Sequence, residues 1–178
     1  PAEEGGAGAK AMIDDGLFTR WPCHEVYGMH NRPNLPVGQF TIAPGPIMAS
    51  VDEVRITVEG RGGHAAKPHT AIDPLPVTAA LIQALQTVTS RSIDPMDSAV
   101  VSLTTVHAGN AFNVIPQSVA LTGTVRALRE EVRNQIEAQL AQLVHHIAAG
   151  FGAEGRLEYI RHYPVTVNHD HETTLAAA

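Results

Sequence analysis

Two acids stand side by side at Glu3-Glu4. Adjacent carboxylates in an extended loop point in different directions. One can bind a metal while the other takes a proton from water whose pKa the metal has lowered. The same pair also reads as two acids that stabilise the positive end of the helix after them. His30 lies 26 residues beyond Glu4, in Tyr27-Gly28-Met29-His30-Asn31, at the end of an apolar run. Strand ends are where α/β enzymes place ligands, although a lone histidine there also serves purely structural roles. His64 and His69 stand in Gly62-Gly63-His64-Ala65-Ala66-Lys67-Pro68-His69. Small residues let another surface approach this backbone closely, and an imidazole there can donate to a developing oxyanion. The alternative is a turn carrying two solvated histidines. Asn113 and Arg126 close the set. A loop asparagine can both donate to and accept from a substrate, and an arginine can hold a carboxylate with two parallel bonds. Either taken alone reads better as a turn former or a surface charge.

The composition bounds what these groups can serve. The chain has 178 residues, 44% of them apolar, enough for one core, or for one small domain and part of another. A formal charge of -6 and the lack of a basic stripe exclude a nucleic-acid footprint. No apolar run is long enough to span a bilayer. A single cysteine, Cys23, rules out an internal disulfide framework and fits a reducing, cytoplasmic compartment. The ten histidines are scattered rather than tagged together, and five of them, His24, His30, His64, His69 and His107, lie near Gly, Pro or Asn, at positions of the kind that supports chemistry. The chain opens at Pro1-Ala2-Glu3 without an initiator Met and closes at Leu175-Ala176-Ala177-Ala178, and both ends read as cut from something longer.

The elements that must position these residues follow from periodicity. Gly5 to Gly16 is expected as a short helix, Glu25 to His30 as a short buried strand and Gln39 to Ala43 as a second strand, broken by Pro44-Gly45-Pro46. A new unit begins at Val51. Val51 to Glu59 alternates apolar and polar residues like a strand with one wet face. Leu75 to Ser90 carries Val77, Leu81, Leu85 and Val88 at helical spacing. Strands are expected at Ala99 to Val106 and Ser118 to Val125. A long helix follows at Glu130 to Ala149, with Val132, Ile136, Leu140, Leu143 and Ile147 on one stripe, and a last strand at Arg156 to Tyr163. Pro164 to His171 reads as a linker, and Glu172 onward as helix. Strand, helix, strand, strand, helix, strand is the ferredoxin-like βαββαβ pattern: one antiparallel sheet with two helices on one face. The flanking pieces are too short to fold alone, which makes this unit an insertion in a second domain.

In order along the chain stand Pro1-Ala2-Glu3-Glu4-Gly5-Gly6-Ala7, Gly28-Met29-His30-Asn31, Pro44-Gly45-Pro46 and Met48-Ala49-Ser50. They are followed by Gly63-His64-Ala65-Ala66 with Pro68-His69, Ile72-Asp73-Pro74, Asn113-Val114-Ile115-Pro116 and Gly123-Thr124-Val125-Arg126. Any one of these is weak; the ordered set resembles the metal-dependent amidohydrolases that include hippurate hydrolase and the N-acyl-amino-acid and indoleacetyl-amino-acid hydrolases, within the aminoacylase–carboxypeptidase clan. The resemblance runs from Pro1 to about Asn168. It implies a catalytic α/β domain (1–50 and 166–178) with an inserted ferredoxin-like lid and dimerisation domain (51–165). It also implies hydrolysis of the amide bond of N-acyl amino acids by a homodimer, with two divalent ions drawn from zinc, manganese, cobalt or nickel. By position it makes Glu3 the general base, Glu4 and His30 metal ligands, His69 or secondly His64 the lid histidine that reaches the partner subunit's site, and Asn113 and Arg126 the groups that hold the substrate.

The departures from the family pattern are as informative. The His-x-Cys-Gly-His-Asp segment expected ahead of the acid motif is absent, as is the last ligand histidine, and Cys23 lies in the wrong context to replace the missing cysteine. With Glu4 and His30 alone, the metal site is incomplete, so this chain by itself is expected to bind metal weakly and turn over little. Two rival readings remain: a non-catalytic lid and dimerisation module, and a dipeptidase of the same clan.

Overall fold

The computed structural model describes residues 8–178, so Glu3 and Glu4 lie outside the described residues. The chain divides into two compact units. One is Met48–Thr166; the other takes the residues up to Ile47 together with Val167–Ala178.

In the smaller unit, α1 (Gly8–Asp14) and α2 (Leu17–Arg20) are separated by Gly16, whose φ of 88° lets the chain turn between them. The stretches Glu25–His30 and Gln39–Ala43, expected as strands, are irregular and exposed. Among the described residues neither finds a strand to pair with, and an extended apolar run becomes a strand only when its N–H and C=O groups enter a ladder. The strand that does form is β1 (Gly45–Met48), which begins inside the Pro44-Gly45-Pro46 stretch expected as a break.

The larger unit follows the expected pattern with adjusted ends. It comprises β2 (Asp52–Glu59), the short β3 (Gly63–His64), α3 (Pro74–Thr87), β4 (Ala99–Ala108), the short β5 (Val114–Ile115), β6 (Ser118–Ala127), α4 (Glu130–Gly150) and β7 (Glu154–Arg161). The four long strands form an antiparallel sheet in the order β4-β6-β2-β7. Along β2, Val54, Ile56 and Val58 are buried under the helices while Arg55 is exposed on the other face. Asp73 starts α3 by accepting from Leu75 N at 3.0 Å, with Pro74 in the first helical position, where a missing N–H costs nothing. Val77, Leu81, Leu85 and Val88 are buried as their spacing requires. The α4 stripe differs from expectation past its midpoint. Val132, Ile136, Leu140, Val144 and Ala148 are buried, while Leu143 and Ile147 sit at the margin. The cause is close approach to β7: a Cβ on Gly155 would stand 2.3 Å from Val144 O and 2.9 Å from Ala148 Cβ, so the small end of the stripe turns inward.

The chain then forms β8 (Thr166–Asn168), inside the stretch expected as a linker, which pairs with β1, and α5 (Asp170–Ala177). No helix among the described residues is long and apolar enough to cross a membrane.

Candidate functional site

Two loops of the larger unit are stitched together around His64. β3 and β5 pair with His64 opposite Val114, and Ala65 N donates to Asn113 O at 3.1 Å. His64 and Asn113, 49 positions apart, therefore stand on one loop pair. Gly60 and Gly62, ahead of His64, stand where backbone leaves no room for a side chain. A Cβ on Gly60 would lie 2.1 Å from Ile72 O, and one on Gly62 would lie 2.9 Å from Ile115 O. The surface that approaches so closely is the chain's own. Gln117 locks the arrangement: its side chain accepts from Gly62 N at 3.0 Å and donates to Gly60 O at 2.9 Å. Sequence reading missed Gln117, since nothing local announces that it reaches back 57 positions.

The ring of His64 has a defined tautomer. Ala66 N–H can only donate, and it donates to Nδ1 of His64 at 3.1 Å. A neutral His64 therefore carries its proton on Nε2, which has no hydrogen-bond partner among the described residues. His69 lies nearby on the short 3-10 turn Pro68–Thr70 and is exposed. A shallow cavity of about 450 Å³ adjoins Ala65, lined by Leu75, Asn110, Phe112, Val114 and Ile115, and Phe112 is fully exposed at its rim.

Arg126 is not part of this group. It lies on β6 eight residues past Ser118, roughly 27 Å along the strand at about 3.4 Å per residue. Its end of the sheet is where the chain enters and leaves the unit: Ser50 N bonds Ala127 O at 2.8 Å, and Val51 N bonds Tyr163 O at 2.9 Å. There Asp52, 1% exposed, accepts from Arg133 Nε at 2.9 Å and from the Tyr159 hydroxyl at 2.8 Å. The Asp52 hydrogen bond holds the Arg133 guanidinium firmly in its charged form. Burial, then the bond to Asp52, pushes the Tyr159 hydroxyl well above its ordinary range. This buried cluster ties α4 to β2 and β7.

His30, in the smaller unit, is exposed, with Nδ1 2.7 Å from Asn31 O. A carbonyl only accepts, so Nδ1 donates and Nε2 keeps its lone pair, the arrangement that orients a metal-binding imidazole. His30 therefore fits one ligand position. Glu4 lies outside the described residues, and no three His, Cys, Asp or Glu side chains cluster as a metal site among the described ones.

Comparison with known proteins places this architecture. The M20 peptidase dimerisation domain matches residues 50–151. N-acetylcysteine deacetylase of Bacillus subtilis (strain 168) is 40% identical over 168 residues, which is 94% of this chain and 44% of that protein. Hippurate hydrolase of Campylobacter jejuni is 42% identical over 177 residues, 99% of this chain and 46% of that protein. A dinuclear metal-binding M20 peptidase from Bacillus subtilis superposes with a TM-score of 0.76 at 33% identity, covering 96% of this chain and 42% of that one. The chain thus spans about half the length of the curated relatives it matches. With the ferredoxin-like topology and the matched span together, the chain belongs to the M20 peptidase family and carries its dimerisation domain.

Proposed function

We propose that the whole protein is a metal-dependent amidohydrolase that cleaves the amide bond of N-acyl amino acids, and that this chain contributes its lid (51–165) and part of its catalytic domain (1–50 and 166–178). The observation that carries the reading is the pair of opposite histidine tautomers. His30 offers a lone pair and suits a metal; His64 offers an N–H and suits an oxyanion. Deacetylase and hippurate hydrolase relatives support the substrate class.

Glu4 and His30 would hold divalent ions (zinc, manganese, cobalt or nickel), which when bound acidify water and polarise a carbonyl. Glu3 takes the proton of the attacking water and returns it to the leaving amine. Of the two lid histidines, the resemblance puts His69 first and His64 second; the bond from Ala66 N favours His64 as the donor to the carbonyl oxygen as it gains charge, and Asn113 binds the acyl end. Arg126 holds the amino acid carboxylate with two parallel bonds. His64 lies on the loop pair that Gln117 holds, next to the Ser118 end of β6, and Arg126 lies roughly 27 Å from Ser118 along that strand. That separation supports their serving different sites in a homodimer: Arg126 the site of its own chain, and His64 with Asn113 the partner's.

The edges of the sheet support the dimer. β4, at one edge, is Ala99-Val100-Val101-Ser102-Leu103-Thr104-Thr105-Val106-His107-Ala108, with neither Lys, Arg, Asp nor Glu. An uncharged edge of ten residues is suited to pairing with a second copy. β7, at the other edge, carries Glu154, Arg156, Glu158 and Arg161. A cytoplasmic location accords with the free, exposed thiol of Cys23.

The test is metal content by mass spectrometry, with hydrolysis of N-acetyl and N-benzoyl amino acids and of dipeptides, on the whole protein and on this chain. The expected result is metal-dependent cleavage of the N-acyl substrates by the whole protein and little of either property in this chain. Preference for dipeptides would move the assignment to a dipeptidase, and cleavage that survives metal removal would overturn the metal-dependent reading. For the isolated chain, the match to the dimerisation domain supports the second reading, a lid and dimerisation module.

A further inference from the structure

Arg126 is held in a definite orientation by its neighbours on the sheet. Both hydrogens of Nη1 are used, one on Thr124 Oγ1 and the other on Val125 O at 2.9 Å. Nε and Nη2 have no hydrogen-bond partner among the described residues. These two form the edge of a guanidinium that matches a carboxylate with parallel bonds. Thr124 can receive Nη1 because its one hydroxyl hydrogen is already committed to Asp52 O at 3.0 Å, which leaves its lone pairs toward the guanidinium. Asp52 in turn cannot drift: its carboxylate is buried between Arg133 and Tyr159. A chain of donors and acceptors thus runs from the buried Asp52 through one hydroxyl to Arg126.

We propose that Thr124 is a positioning residue for substrate binding: its hydroxyl anchors Nη1 of Arg126 to the rigid Asp52 segment and keeps the Nε–Nη2 edge free for the substrate carboxylate. The proposal rests on the reading of Arg126 as the carboxylate-binding group. Without the hydroxyl, the long arginine side chain loses one of its two fixed points, and the fork must be ordered at the moment of binding. The chemical step, which needs no movement of Arg126, is untouched.

The experiment uses the whole protein and two substrates, an N-acyl amino acid and its carboxamide, which lacks the carboxylate. Thr124→Val, of nearly the same shape, raises KM for the acid about five- to tenfold, the size of one ordinary hydrogen bond lost from the positioning of the arginine, with kcat unchanged. KM for the carboxamide does not move. Thr124→Ser restores the wild-type KM, and Thr124→Ala repeats the valine result if valine does not fold. Arg126→Ala checks the underlying reading, with a larger loss confined to the acid. If Arg126→Ala shows that selective loss and Thr124→Val does not, the proposal fails while the reading of Arg126 stands. If Arg126→Ala affects both substrates alike, or neither, that reading fails and takes the proposal with it. A Thr124→Val loss that is equal on both substrates, or that serine does not repair, marks a structural role and overturns the proposal.

Discussion

At the scale of single residues, the larger unit depends most on a charge it has buried. Asp52 and Arg133 are 1% and 4% exposed and bonded to one another. Replacing Arg133 by leucine would leave the Asp52 carboxylate in the interior with the Tyr159 hydroxyl as its remaining side-chain donor. Loss of one partner of a buried pair costs about 3–5 kcal/mol, and urea unfolding of the chain should show a loss of that size. Tyr159 gives the same cluster a pH dependence. Its folded pKa is raised, so the fold favours the neutral phenol. That contribution is complete below about pH 10, where tyrosine in the unfolded chain also keeps its proton. It is lost as pH rises past that value and through the folded one. The urea midpoint should therefore fall more steeply above pH 10 in the natural chain than in Tyr159→Phe; parallel curves would remove Tyr159 from the account.

At the scale of elements, the test falls on the loops that carry His64. Gln117→Ala removes both side-chain bonds to the Gly60–Gly62 segment while leaving the sheet whole. Amide exchange at Gly62 should accelerate by tenfold or more, on the order of the loss of one to two hydrogen bonds. Exchange at Val119 in the buried sheet should not change. Elements of this unit were legible in the sequence wherever one face is buried. The alternation from Val51 to Glu59 and the stripe of Val77, Leu81, Leu85 and Val88 each record a single core, and the core is where the structure puts them. The short β3, β5 and β8 were not legible, because two- and three-residue strands are made by their partners and carry no period of their own. Glu25–His30 failed for the reverse reason: its strand-like composition has no neighbouring strand among the described residues. For the candidate site, residue types were legible in the sequence, but hydrogen-bond partners were not. His64 and His69 read alike as letters; only the bond from Ala66 N assigns one of them a proton position.

At the scale of the whole molecule, the proposed division of labour between two copies is open to direct test. The uncharged edge of β4 gives a first check. Val106→Lys places a charge on that edge, where Val106 is half exposed, and should shift the whole protein from dimer to monomer in light scattering; Glu158→Lys on the β7 edge should not. The sharper check is complementation. A His64→Ala homodimer and an Arg126→Ala homodimer each lack one group at every site, and each should be severely impaired. Mixed and allowed to exchange, half of the dimers become hybrids. In a hybrid, the site of the His64→Ala chain has its own Arg126 and receives an intact His64 from its partner. The other site lacks both. One working site in half the dimers gives about a quarter of the natural activity. If both residues served the same chain's site, or both served the partner's, every site in the hybrid would still lack one group and mixing would restore nothing. The recovered fraction therefore measures directly whether His64 on the β3–β5 loop pair and Arg126 on β6 belong to two different active sites.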